Sequence, residues 1–145
     1  YSRKMELRER LFSYAKEHQL SVMISTHEIQ EILPWTDQIV VLQEGRLVQN
    51  DSAEETFNNP YNSYVAKLLG EVNTISEEEK LLLNTSKNYF FPHKIHLQEN
   101  GLEAEVLESR FAGNHYWNKI LVKNIPLIMY SENKLDGRIL VEIEG

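Results

Sequence analysis

Leu20-Ser21-Val22-Met23-Ile24-Ser25, followed by Thr26-His27-Glu28, decides how the chain is read. A short, mostly apolar run placed after a helix reads as a strand of a covered, parallel sheet, because both of its faces are buried. Thr26-His27-Glu28 then falls just past the strand's carboxyl end, where open α/β sheets place their ligand chemistry. Upstream, Leu7, Leu11 and Ala15 repeat at intervals of four among Arg3, Lys4, Arg8, Glu9, Arg10, Lys16 and Glu17, which predicts a helix with Ser2 as its N-cap. Downstream, Ile29, Ile32 and Leu33 predict a short helix that stops near Pro34.

Farther out, Ile39-Val40-Val41-Leu42 and Arg46-Leu47-Val48 flank Glu44-Gly45, a hairpin signal because Gly45 adopts positive φ without steric cost. Ser52-Ala53-Glu54-Glu55 fits a capping box that opens a helix ending by Asn59-Pro60. A second short helix, Asn62 to Leu69, closes on Gly70. Beyond Gly70 the pattern changes. Val72 to Ile75, Tyr89 to Leu97, Leu102 to Phe111, Tyr116 to Lys123, Ile125 to Tyr130 and Arg138 to Ile143 read as short strands with Gly, Asn and Pro between them. Ser76-Glu77-Glu78-Glu79-Lys80 is a further helix start before Leu81-Leu82-Leu83. The expected class is α+β. A helix, strand, hairpin and short helices over residues 1–70 precede a small antiparallel, OB-like β-barrel over residues 71–145.

The 145 residues suffice for one compact domain or two small ones. Lys plus Arg number 15 against 22 Asp plus Glu, a net charge of −7, which is opposite to the basic footprint of a nucleic-acid or anionic-membrane binder. There is no Cys, so disulfides and Cys-based zinc sites are excluded. No apolar run approaches the roughly 20 residues of a membrane span, and no signal peptide opens the chain. It starts at Tyr1 rather than Met, as a piece of something longer would.

Taken in order, these stretches resemble one family. Ser25-Thr26-His27-Glu28-Ile29-Gln30-Glu31 looks like a switch-histidine loop and the helix after it. Thr36-Asp37-Gln38-Ile39-Val40-Val41-Leu42 and Glu44-Gly45-Arg46-Leu47-Val48-Gln49 look like the hairpin that follows. Glu55, Pro60, Asn62, Tyr64-Val65-Ala66, Leu69-Gly70 and Asn73 match linking helices, and Pro92, Ile95, Phe111, Gly113 and Tyr116 match a later barrel. The family is the ATP-binding subunits of ABC-type importers, from just after the D-loop to the C-terminal transport-associated domain. The chain departs from it at Glu28, where Asp is usual, and at Asp51 and Ala53, where Gly and Pro are customary. Phe91 and His93 replace the Arg and Glu of an Arg-Pro-Glu-x-Ile stretch, and residues 76–83 have no clear counterpart.

The resemblance implies that His27 contacts the γ-phosphate of ATP, a role suited to a side chain that donates hydrogen bonds and titrates near neutral pH. It also implies ATP and Mg as cofactors of the intact parent. Phosphoryl transfer depends on a phosphate cradle, Gly-x-x-x-x-Gly-Lys followed by Ser or Thr. In this sequence no Gly is followed by Lys, and the acidic magnesium site and LSGGQ-like signature are missing too. The 145 residues are therefore not expected to bind ATP or a metal by themselves. His27-Glu28-Ile29-Gln30-Glu31 lacks the second histidine of a zinc-protease motif, and His93 and His96 would point to opposite faces of a strand.

Two functions are weighed. The first is the C-terminal part of an ABC importer's ATP-binding subunit, with the barrel regulating or dimerising it. That subunit would work as a homodimer with membrane permease subunits, on the cytoplasmic face of the membrane. The strand Leu20 to Ser25, left without parallel neighbours, would expose apolar surface and favour pairing with another chain. The alternative is a stand-alone small-ligand-binding or dimerisation module, with Arg110, Asn114 and His115 as the first polar candidates for a ligand.

Overall fold

The opening helix forms as α1, Arg3–Glu17, in the computed structural model, which describes residues 3–145. The N-cap expected at Ser2 lies outside the described residues. Ala15 is the buried member of the helix, while Leu7, Leu11 and Tyr14 stay exposed. After α1 the sequence expectation fails in one respect. Residues 20–25 form no strand: no neighbouring strand pairs with them, and Leu20, Val22, Met23 and Ile24 are all exposed. A parallel strand is stabilised by ladders on both sides and cover on both faces. Neither is supplied by the described residues. The helix expected around Ile29 to Leu33 is replaced by two 3-10 turns, Ile29–Glu31 and Leu33–Trp35, with Pro34 in the second.

The hairpin forms as β1, Gln38–Gln43, and β2, Arg46–Ser52. Its turn places Glu44 at φ 50° and Gly45 at φ 75°, the backbone pair that a two-residue hairpin with the natural strand twist requires. Helix α2, Ala53–Asn58, starts where the Ser52 hydroxyl accepts from the Glu55 amide at 3.1 Å. In α3, Ser63–Leu69, the Asn62 side chain does the same for Val65 at 3.0 Å. Ile39, Val41, Val65 and Leu69 form one core cluster, and Phe91 from the second half of the chain joins it.

The second half is built on a four-stranded antiparallel sheet of order β7-β6-β5-β8. Its strands are β5, Ile95–Phe111; β6, Tyr116–Val122; β7, Ile125–Ser131; and β8, Arg138–Ile143. A two-stranded ladder of β3, Asn73–Thr74, and β4, Tyr89–Phe90, precedes it. The sheet is open, so the closed barrel expected from the strand count is not what forms. The expected strand Tyr89 to Leu97 is interrupted at Pro92, which opens a 3-10 turn over Pro92–Lys94, and the chain re-enters the sheet at Ile95. Ile95 to Leu97 and Leu102 to Phe111 then belong to one strand. Leu97 and Leu102 both face Val141, and residues 98–101 bow out between them.

Strand β7 is an edge strand and tolerates Pro126. Asn73 covers part of this edge: its side-chain amide donates to the Ile128 carbonyl and accepts from the Ile128 amide, both at 2.8 Å. The core beneath the sheet gathers Phe90, Ile95, Ile120, Val122, Leu127, Met129 and Val141. Helix α4, Glu77–Leu83, closes it with a complete capping box between Ser76 and Glu79 and a left-handed Asn84 at its end. Among the described residues no helix is long and apolar enough to cross a membrane.

Candidate functional site

His27 stands on an exposed loop between the unpaired apolar run and the first 3-10 turn. The Thr26 hydroxyl accepts from the Glu28 amide at 2.9 Å, which fixes the bend on which the imidazole sits. No hydrogen bond holds the His27 ring among the described residues, and the residue is exposed. The base of the loop is anchored on two sides. On one side Glu31 accepts from Lys4 at 2.5 Å and from Arg8, and Arg8 also reaches the Glu31 carbonyl at 3.1 Å. Hydrogen bonds from Lys4 and Arg8 hold the Glu31 carboxyl below the usual carboxylate range. On the other side Gln30 donates its amide to the carbonyl of Leu69, the last residue of α3. Trp35 stacks on Phe12 of α1 with ring centroids 5.5 Å apart.

Arg110, Asn114 and His115 lie at one end of the β5–β6 pair. The register sets Arg110 opposite Trp117, and Trp117 opposite Tyr130, which brings all three to one face of the sheet. Arg110 is engaged by Glu108, while His115 is 2.6 Å from the Asn114 side-chain oxygen and packs on the Tyr130 ring at 4.1 Å. His27 is on the other half of the chain, so the structure does not gather the four residues into one site.

Sequence reading missed the carboxylate that organises this face. Glu71 accepts from the Trp117 indole at 2.9 Å and from the Tyr130 hydroxyl at 2.6 Å. No short-range pattern could announce it, because its partners lie 46 and 59 residues away. Burial, reinforced by the Glu71 carboxylate, pushes the Tyr130 hydroxyl up to about 12 from its ordinary 10.0. The folded state thus favours the protonated phenol. Its contribution to stability is complete below the ordinary value and is lost as pH rises through about 12. In an alkaline absorbance titration Tyr130 is expected to ionise after the unperturbed tyrosines. Glu71→Gln should bring its midpoint down, and an unchanged midpoint would refute the role of the carboxylate.

His93 lies in the 3-10 turn rather than on a strand, and His96 is 3.5 Å from Glu144 on the outer face of β5. Burial lowers the His93 ring below its usual range. Among the described residues no group of three or more His, Asp or Glu side chains converges as metal ligands would.

No protein-family model matches the chain. Curated proteins do. The spermidine/putrescine import ATP-binding protein PotA of Acetivibrio thermocellus is 26% identical over 137 residues, 94% of this chain and 36% of that protein. The sulfate/thiosulfate import ATP-binding protein CysA of Bacillus cereus is 39% identical over 152 aligned positions, 92% of this chain and 40% of that protein. The PotA protein of Mycoplasmopsis synoviae is 23% identical over 160 positions, 89% of this chain and 35% of its own. The chain thus spans between a third and two fifths of the length of these relatives.

Proposed function

We propose a function from kinship: the chain belongs with the ATP-binding subunits of ABC-type importers, and we infer that it is the C-terminal part of such a subunit. In this reading residues 1–70 complete a nucleotide-binding domain, and residues 71–145 form a regulatory or dimerising domain of the transport-associated type. The observation that carries the reading is the exposed, unpaired apolar run at residues 20–24 immediately before His27. Such a segment is stable in water only when something covers it, and a sheet supplied by a longer chain would pair and bury it.

His27 suits the role of phosphate contact. Its ring is unengaged among the described residues, its loop is anchored at Glu31 and Gln30, and an imidazole can donate to a phosphoryl oxygen at neutral pH. The phosphate cradle and the acidic residues for ATP and Mg would come from the remainder of the subunit. Hydrolysis in a dimer of such subunits would drive uptake through permease partners at the cytoplasmic membrane face. The relatives' names span a polyamine and an oxyanion, opposite in charge. In this reading the transported substrate is chosen outside the matched region. For a stand-alone ligand module the polar groups would be Arg110, Asn114 and His115. Arg110 is already engaged by Glu108 and Asn114 by His115, and no observation favours that reading over the first.

The reading frame preceding Tyr1 should encode a P-loop, and a frame without one would overturn the proposal. In the longer protein, His27→Ala is expected to lower ATP turnover by about two orders of magnitude, the typical loss for one donor to a developing oxyanion. Steady-state hydrolysis measured within about threefold of the parent would remove His27 from the reaction.

A further inference from the structure

Three neighbouring residues at the joint between the halves each hold a different part of the molecule. The Leu69 carbonyl, left without a partner by the end of α3, accepts from the Gln30 side chain. Gly70 then turns the chain at φ 153°, leaving Gln30 Nε2 3.8 Å from where a Cβ would stand. Glu71 takes the Trp117 indole and the Tyr130 hydroxyl, and Asn73 exchanges two hydrogen bonds with the backbone of Ile128. Gln30 lies three residues past His27. The loop that carries the imidazole is thus tied, through a joint of five residues (69–73), to the two strands at one side of the sheet.

We infer that Gln30 is a positioning residue that couples the His27 loop to strands β6 and β7 through the Leu69–Glu71 joint. A shift of the loop pulls on a helix end that is buried, with Leu69 only 2% exposed, and the adjoining Glu71 is fixed to two aromatic donors. Packed elements of this kind transmit displacement rather than absorb it. The reciprocal effect is required, since a coupling free energy acts equally in both directions. The coupling is a property of these residues and holds whether or not His27 meets a phosphate; its regulatory meaning rests on the function proposed above.

Hydrogen exchange on the 145-residue chain, without nucleotide, tests it. Loss of one part-buried hydrogen bond shifts a local opening equilibrium by about fivefold. Gln30→Ala is expected to speed exchange at the Trp117 indole and at the amide of Asn73 by about that factor, leaving Val141 in β8 unchanged. Glu71→Gln should in return speed the amides of Ile32 and Trp35. Lys4→Ala, which loosens the loop from the opposite side but keeps the Gln30–Leu69 bond, should move Trp117 clearly less than Gln30→Ala does. Unaltered exchange at Asn73 and Trp117 in Gln30→Ala, or uniform acceleration across the sheet, overturns the inference. An equal response of Trp117 to Lys4→Ala does so too. Should Gln30→Ala fail to fold, the Glu71→Gln arm decides alone.

Discussion

Replacing Gly101 by alanine is expected to cost about 3 kcal/mol or more, a large part of the roughly 5–15 kcal/mol that holds a domain together. A Cβ at this position would stand 2.3 Å from the Val141 carbonyl oxygen, 2.6 Å from its carbon and 2.9 Å from its nitrogen. All three are backbone atoms, so no side chain can rotate away to make room. Val141 is fully buried in the sheet core and pairs with both Leu97 and Leu102. Moving it would break the β5–β8 ladder on either side of the excursion at residues 98–101. Gly113→Ala serves as the comparison: its φ of 95° carries strain, but nothing lies within 4 Å of the added carbon. Urea midpoints should therefore rank Gly101→Ala well below Gly113→Ala. Equal midpoints would mean that β8 gives way more easily than this geometry allows.

What could be read from the sequence divides along a physical line. Local chemistry was legible. Glu44-Gly45 makes its hairpin turn, Ser52 and Asn62 cap their helices, and Ser76 with Glu79 closes a full capping box, because each depends on residues within a few positions. The six short strands were largely legible for the same reason, since alternation is a local signal. Closure was not. Whether strands form a barrel depends on which edges find partners, and here Asn73 meets β7 with a side chain across 55 residues.

The misread strand at residues 20–25 fails for a different reason. Its composition is that of a buried strand, but burial is conferred by neighbours, and among the described residues there are none. His27 was singled out from its place after that run, whereas the contacts that anchor its loop were not foreseen. Gln30 acts on a helix end 39 residues away and Glu31 on α1, and neither pairing leaves a trace in the spacing. The same holds for Glu71.

Phe91→Ala should be nearly as damaging as the change at Gly101, and in a diagnostic way. Phe91 belongs by sequence to the second half, directly after β4. Its ring nonetheless packs with Ile39, Val41, Val65 and Leu69 of the first half and lies 5.7 Å from the Phe57 ring. His93 stacks on its other side with centroids 5.8 Å apart and planes within 3°. Phe91 thus joins the halves, with the exposed His93 ring stacked on it. Truncation to alanine should cost about 3 kcal/mol from lost contacts and the cavity left behind. Phe91→Arg should cost more, since it would set a guanidinium where the ring now packs on Ile39, Val41, Val65 and Leu69. The two tryptophans report the halves separately: Trp35 stacks on α1 in the first, and Trp117 sits on β6 in the second. In the parent chain their unfolding transitions, followed in Trp35→Phe and Trp117→Phe backgrounds, should coincide. In Phe91→Ala they should separate, with Trp35 reporting the earlier loss. Coincident transitions with less than about 1 kcal/mol lost would show that the ring is not what binds one half to the other.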